Sequence, residues 1–77
     1  MEQKYTEISD LGLATALVTS GFSVVELNRN NPRRTMFVFE ASDTLDRCVD
    51  TYWSGELVLS AIRLLDQQKQ LKSRIYG

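Results

Sequence analysis

Histidine is absent from this chain of 77 residues, and its absence excludes a good deal of chemistry. It removes the usual general base at neutral pH and the commonest transition-metal ligand. Cys–His and Ser–His nucleophile pairs are excluded with it. There is one cysteine, Cys48, so no intramolecular disulfide can form, and a reducing, cytoplasmic setting is the simplest fit. No run of apolar residues is long enough to cross a bilayer. The longest uncharged stretch, LGLATALVTSGFSVV at 11–25, falls short of the roughly 20 residues a span requires and carries Gly, Ser and Thr throughout. No basic segment precedes an apolar run at the N-terminus, so neither a signal peptide nor a membrane partner is expected. Among ten acidic residues no pair stands out as a catalytic dyad. The expectation is a protein without a catalytic residue, a metal or a cofactor.

What is present is a chain sized for one domain, 1–77, near the lower limit for a single core without staples. Such a chain buries only about 60% of the surface its unfolded form exposes, so self-association is a natural way to add buried area. The net charge of −1 conceals a segregated pattern. Residues 1–26 carry −3 and residues 37–66 carry −4, whereas 27–36 (Arg29, Arg33, Arg34) and 67–77 (Lys69, Lys72, Arg74) each carry +3. Two basic patches therefore sit on an acidic body. The broadly basic footprint typical of non-specific DNA binding is missing, which disfavours nucleic acid as the leading partner.

The periodicities predict an α+β domain in the order helix, antiparallel β-hairpin, two helices (α-β-β-α-α). Residues 1–8 form an extended lead-in with room for a short strand at Tyr5 to Ile8. Ser9 or Asp10 can cap a helix that ends at Gly21, a good left-handed cap. This helix lacks charge on every side, which predicts cover on more than one side. The runs FSVVELN and RTMFVFE are rich in β-branched and aromatic residues and predict a hairpin over roughly 22–40. Strict alternation sets Phe37 and Phe39 against Met36 and Val38, and Val25 and Leu27 against Phe22 and Val24. Both faces are then apolar, and a two-stranded ribbon alone in water could not support that.

The third element, SDTLDRCVDTYWSG, places Leu45, Cys48, Val49, Tyr52 and Trp53 at i, i+3, i+4, i+7 and i+8, an amphipathic stripe between a Ser42 or Asp43 cap and Gly55. This predicts that Tyr52 and Trp53 are core or interface aromatics and Cys48 a buried small hydrophobe. A final helix runs from about Ala61 to Tyr76. Leu57, Ala61, Leu64, Gln68, Leu71 and Ile75 have heptad spacing with one polar member. Because DQQKQ at 66–70 is polar throughout, the segment 66–77 can project from the body.

Between the two strands lies NRNNPRRT, residues 28–35. Pro32 fixes the second position of a turn, and asparagines bond locally to the backbone. The arginines have no such role, which raises the option of an anion or nucleic-acid contact through Arg29, Arg33 and Arg34. The competing expectation is that loop-tip cations keep strand edges soluble, and it outranks the first. Lys69, Lys72 and Arg74 form a second candidate patch, with macrodipole compensation as the plainer account.

The stretches TMFVFEASDTLD, DTYWSGEL and LKSRIY resemble an uncharacterised family of very short proteins from bacteria, their phages and related mobile elements. The matching positions are Phe37, Phe39 and Glu40 in an F-x-F-E strand, Tyr52, Trp53 and Gly55 at a helix end, and Leu71, Lys72, Arg74, Ile75 and Tyr76 in the closing helix. The resemblance implies a viral or mobile-element context and a stand-alone small domain, in the host cell cytoplasm if phage-encoded, and it carries over no catalytic residue.

Three functions follow in order. The first is a non-enzymatic binding protein, self-associating and acting on a host or viral protein, with Leu64, Gln68, Leu71 and Ile75 or the Met36/Val38 face at the contact between copies. The second is a nucleic-acid accessory factor using the hairpin arginines. The third is a binder that sequesters a small nucleotide.

Overall fold

The computed structural model describes residues 4–76. They form β1 (Tyr5–Ile8), α1 (Leu11–Thr19), β2 (Val24–Asn31), β3 (Arg34–Glu40), α2 (Asp43–Trp53) and α3 (Ala61–Tyr76). The fold is α+β, with the expected helix, hairpin and two helices in order. The lead-in adds a third strand, so that the sheet order is β1-β3-β2 with every pairing antiparallel.

Local chemistry sets the helix limits. The Asp10 carboxylate accepts from the Leu13 amide at 3.0 Å and the Ser42 hydroxyl from the Leu45 amide at 3.1 Å, starting α1 and α2. Both helices stop in the same way. Gly21 (φ 110°) and Gly55 (φ 79°) take the left-handed conformation. The Phe22 amide then reaches back to the Leu17 carbonyl (3.0 Å) and the Glu56 amide to the Thr51 carbonyl (3.1 Å). This is the Schellman closure, for which glycine carries no Cβ penalty.

One face of the sheet packs on the helices. Phe37 and Phe39 of the central strand are buried with Leu13, Ala14 and Leu17 of α1, Leu45 of α2 and Leu71 of α3. Full burial of each phenyl ring contributes about 1.5–3 kcal/mol. Residues 13–17 of α1 are all buried, as a helix without charge on any side requires. Its hydroxyls are satisfied by its own backbone: Thr15 Oγ1 donates to the Leu11 carbonyl (2.7 Å), Thr19 Oγ1 to that of Thr15 (2.7 Å) and Ser20 Oγ to that of Ala16 (2.8 Å).

Three expectations are corrected. A bulge between Val24 and Glu26 resets the register of β2, so Val24 and Leu27 share the core face while Val25 is left exposed. Strict alternation had set Val24 opposite Leu27, because one unpaired residue inverts every assignment before it. Next, the segment 66–76 does not leave the body: Leu71 is buried and Ile75 packs on the core, while Ile62 and Leu65 at the start of α3 are the exposed apolar residues. Finally, Trp53 is 62% exposed, with its ring edge-on to Tyr52 at 5.0 Å between centroids. Tyr52 alone of the pair packs on the core, and Cys48 is half-buried beside it. The i+8 position has drifted past the edge of the buried stripe.

Candidate functional site

The NRNNPRRT turn is built by its asparagines. Asn28 Oδ1 accepts from the Asn30 amide at 3.0 Å, and Asn31 Oδ1 from the Arg33 amide at 2.9 Å. The three arginines then part company. Arg29 turns toward α3, where its Nη2 donates to the Arg74 carbonyl. A guanidinium on the carbonyl end of a helix meets the negative pole of the macrodipole, so Arg29 clips the hairpin to α3 and its role is structural. Arg33 and Arg34 are exposed and make no ion pair with another described residue. They line a cleft of about 450 Å³ together with Leu11, Phe37, Ile75 and Tyr76. The hairpin tip and the last residues of α3, separated by about half the chain, thus meet at this cleft. The second patch is itself divided. The Arg74 side chain borders a different cleft, with Gln67 and Gln70, and Lys69 and Lys72 are exposed along α3.

A second concavity of about 410 Å³ lies between α1 and α3. Gly12, Thr15 and Ala16 of α1 line one side and Ala61, Leu64 and Gln68 of α3 the other, with Leu57 and Tyr52 closing the end. Gly12 is required there, because a Cβ on it would stand 2.8 Å from the Tyr52 hydroxyl oxygen. Leu65 at the edge of this groove is exposed, as are Ile62 one turn before it on α3, Val58 in the preceding segment and Trp53 at the end of α2.

The residues expected at a contact between copies divide accordingly. Leu71 and Val38 are buried within the single chain, and Ile75 and Met36 are half-buried. The heptad row from Leu57 to Ile75 therefore faces the chain's own groove and core and offers no free coiled-coil seam. Leu64 and Gln68 remain at the groove. Val58, Ile62 and Leu65 repeat the apolar residues at 57, 61 and 64 one place later, a pattern outside the heptad. The sheet face away from the helices needs no covering layer over Val38, which is only 7% exposed. Val38 lies in register between Glu7 and Glu26, and Asn28 Nδ2 reaches Glu7 Oε1 across β3 at 3.0 Å.

Among the described residues no three Cys, Asp or Glu side chains are grouped to hold a metal ion, and no helix is long and apolar enough to cross a membrane. A three-stranded antiparallel sheet backed by three helices, with one basic cleft and one apolar groove, defines a small α+β domain. The family model for a domain of unknown function (DUF5659) matches residues 3–77, and the chain belongs to that family. Neither the curated proteins nor the solved structures give a match.

Proposed function

We propose that this chain is a non-enzymatic binding protein that self-associates, a second copy docking along the groove between α1 and α3. The observation that carries the reading is the exposed row Val58, Ile62 and Leu65 beside an open apolar groove. Exposed apolar clusters of this kind on small domains mark interaction sites. The row is self-complementary in charge, since exposed Glu56 precedes it and exposed Lys69 follows it. Two copies docked along this row about a two-fold axis can set each Glu56, in the segment before α3, toward the Lys69 of its partner, an isologous contact. For 77 residues such a contact also adds buried area that one small core lacks. The resemblance to short phage and mobile-element proteins supplies the setting: the cytoplasm of a bacterial host, with a host or viral protein as the target of the assembled pair.

Sedimentation equilibrium at micromolar concentration tests this. A mass of twice 8.8 kDa is expected for the parent, and a monomer with unchanged far-UV circular dichroism for the double variant Ile62→Glu, Leu65→Glu. A parent that stays monomeric, or a double variant that still pairs, overturns the reading.

A further inference from the structure

We propose that the cleft between the hairpin tip and the end of α3 binds single-stranded nucleic acid, with Arg33 and Arg34 on phosphates and Tyr76 stacked on a base. The cleft is lined by two guanidinium groups that make no ion pair with another described residue and by Tyr76, which is 83% exposed. Among the described residues no carboxylate lines it. Its volume of about 450 Å³ lies within the range of about 300–1,000 Å³ that bound small molecules occupy, so one nucleotide unit fits. Paired cations beside an exposed aromatic ring are the parts of a single-strand site, in which the backbone is held electrostatically and bases stack without sequence preference.

The path also continues beyond the cleft. Lys72 lies one helical turn before Tyr76 on α3, and residues four apart share a helix face. A strand leaving the ring therefore meets a further exposed cation.

Duplex is a poor occupant for the same reasons. The exposed cations form no continuous track around the cleft, since Lys4, Arg47, Arg63 and Lys69 do not line it. Away from it stand exposed Glu7, Glu26 and Glu40 on the sheet and Asp43, Asp46 and Asp50 on α2, which would repel a long phosphate ladder. A base fully paired in a helix also has no free face to offer Tyr76.

Fluorescence anisotropy with a short fluorescein-labelled oligo-dT tests the proposal on the full chain. The parent is expected to bind at low salt and to weaken as salt rises. In the double variant Arg33→Ser, Arg34→Ser, affinity should fall and the slope of log K against log salt should flatten by about 1.4, since each phosphate contact on a single strand contributes about 0.7. Tyr76→Ala should bind about tenfold more weakly with the slope unchanged, and Tyr76→Phe should restore affinity. The proposal is overturned if the parent does not bind, if the arginine variant keeps the parental slope, or if duplex of the same sequence binds as tightly. Displacement of the oligomer by an equimolar nucleoside triphosphate, or by poly-glutamate, would also overturn it in favour of a free nucleotide or an acidic protein segment.

Discussion

Gly12 and Tyr52 are fitted to one another: the place a Cβ would take on the α1 glycine is 2.8 Å from the hydroxyl oxygen of the α2 tyrosine, and 4.0 Å from the ring carbon that carries it. A second oxygen, Oδ1 of the capping Asp10, lies 3.1 Å from the same place, so the tyrosine hydroxyl is the closer of two obstacles. Gly12→Ala alone should destabilise the domain by about 1–3 kcal/mol through overpacking. With Tyr52→Phe in place, the same change should cost less, because the closer oxygen is gone while Asp10 Oδ1 remains 3.1 Å away. Urea denaturation of the four-member cycle checks this, and additive effects would show that the two residues are not coupled.

Phe39→Ala removes a ring that is 1% exposed at the centre of the core. A loss of about 3–5 kcal/mol is expected, enough to unfold a domain whose total stability is near the low end of about 5–15 kcal/mol. Circular dichroism at room temperature reads the outcome.

Trp53→Ala should be mild. With most of the indole in water and the edge-on contact to Tyr52 as its main interaction, a loss of about 0.5–1.5 kcal/mol is expected. A larger drop in melting midpoint would mean that the indole is buried in solution, as it would be if the paired form enclosed it.

Arginine-to-serine changes should separate by position. Arg29→Ser removes the contact to the Arg74 carbonyl and should cost about 0.3–1 kcal/mol, the scale of an exposed charge at a helix end, with a deficit that shrinks in high salt. Arg33→Ser and Arg34→Ser should leave thermal melting unchanged. Melts at low and high salt distinguish the two behaviours.

The helices, their caps and the phenylalanine face were legible because each rests on local signals: a capping side chain, a glycine at a helix end, an apolar residue every third or fourth place. The fold departed from the sequence reading where a non-local choice intervened. Nothing near Val25 announces a bulge, since the bulge is chosen by what β2 must match on β3. The distinction between Tyr52 and Trp53 depends on how far α2 extends past the sheet. The division of the arginines was equally hidden, because Arg29 is occupied by a carbonyl 45 positions away. The groove at Leu65 has a signal in the doubled apolar pairs 57/58, 61/62 and 64/65, of which a single heptad accounts for only the first member of each.

Because β3 is the strand that both others pair with, the sheet has an order of assembly built into it. β2 and β3 are joined by a short turn and can zip locally, with little loop-closure entropy. β1 is four residues long and must be brought in across all of α1 and the hairpin. It should therefore be the last strand to dock and the first to leave, opening below the free energy of global unfolding. Native-state hydrogen exchange on the β1–β3 and β2–β3 ladders would report the difference: amides donated between β1 and β3 should exchange through a smaller opening than those of the hairpin. Transient release of β1 would bare the hydrogen-bonding edge of the central strand, making the first strand of the chain the one whose hold keeps β3 from pairing with strangers.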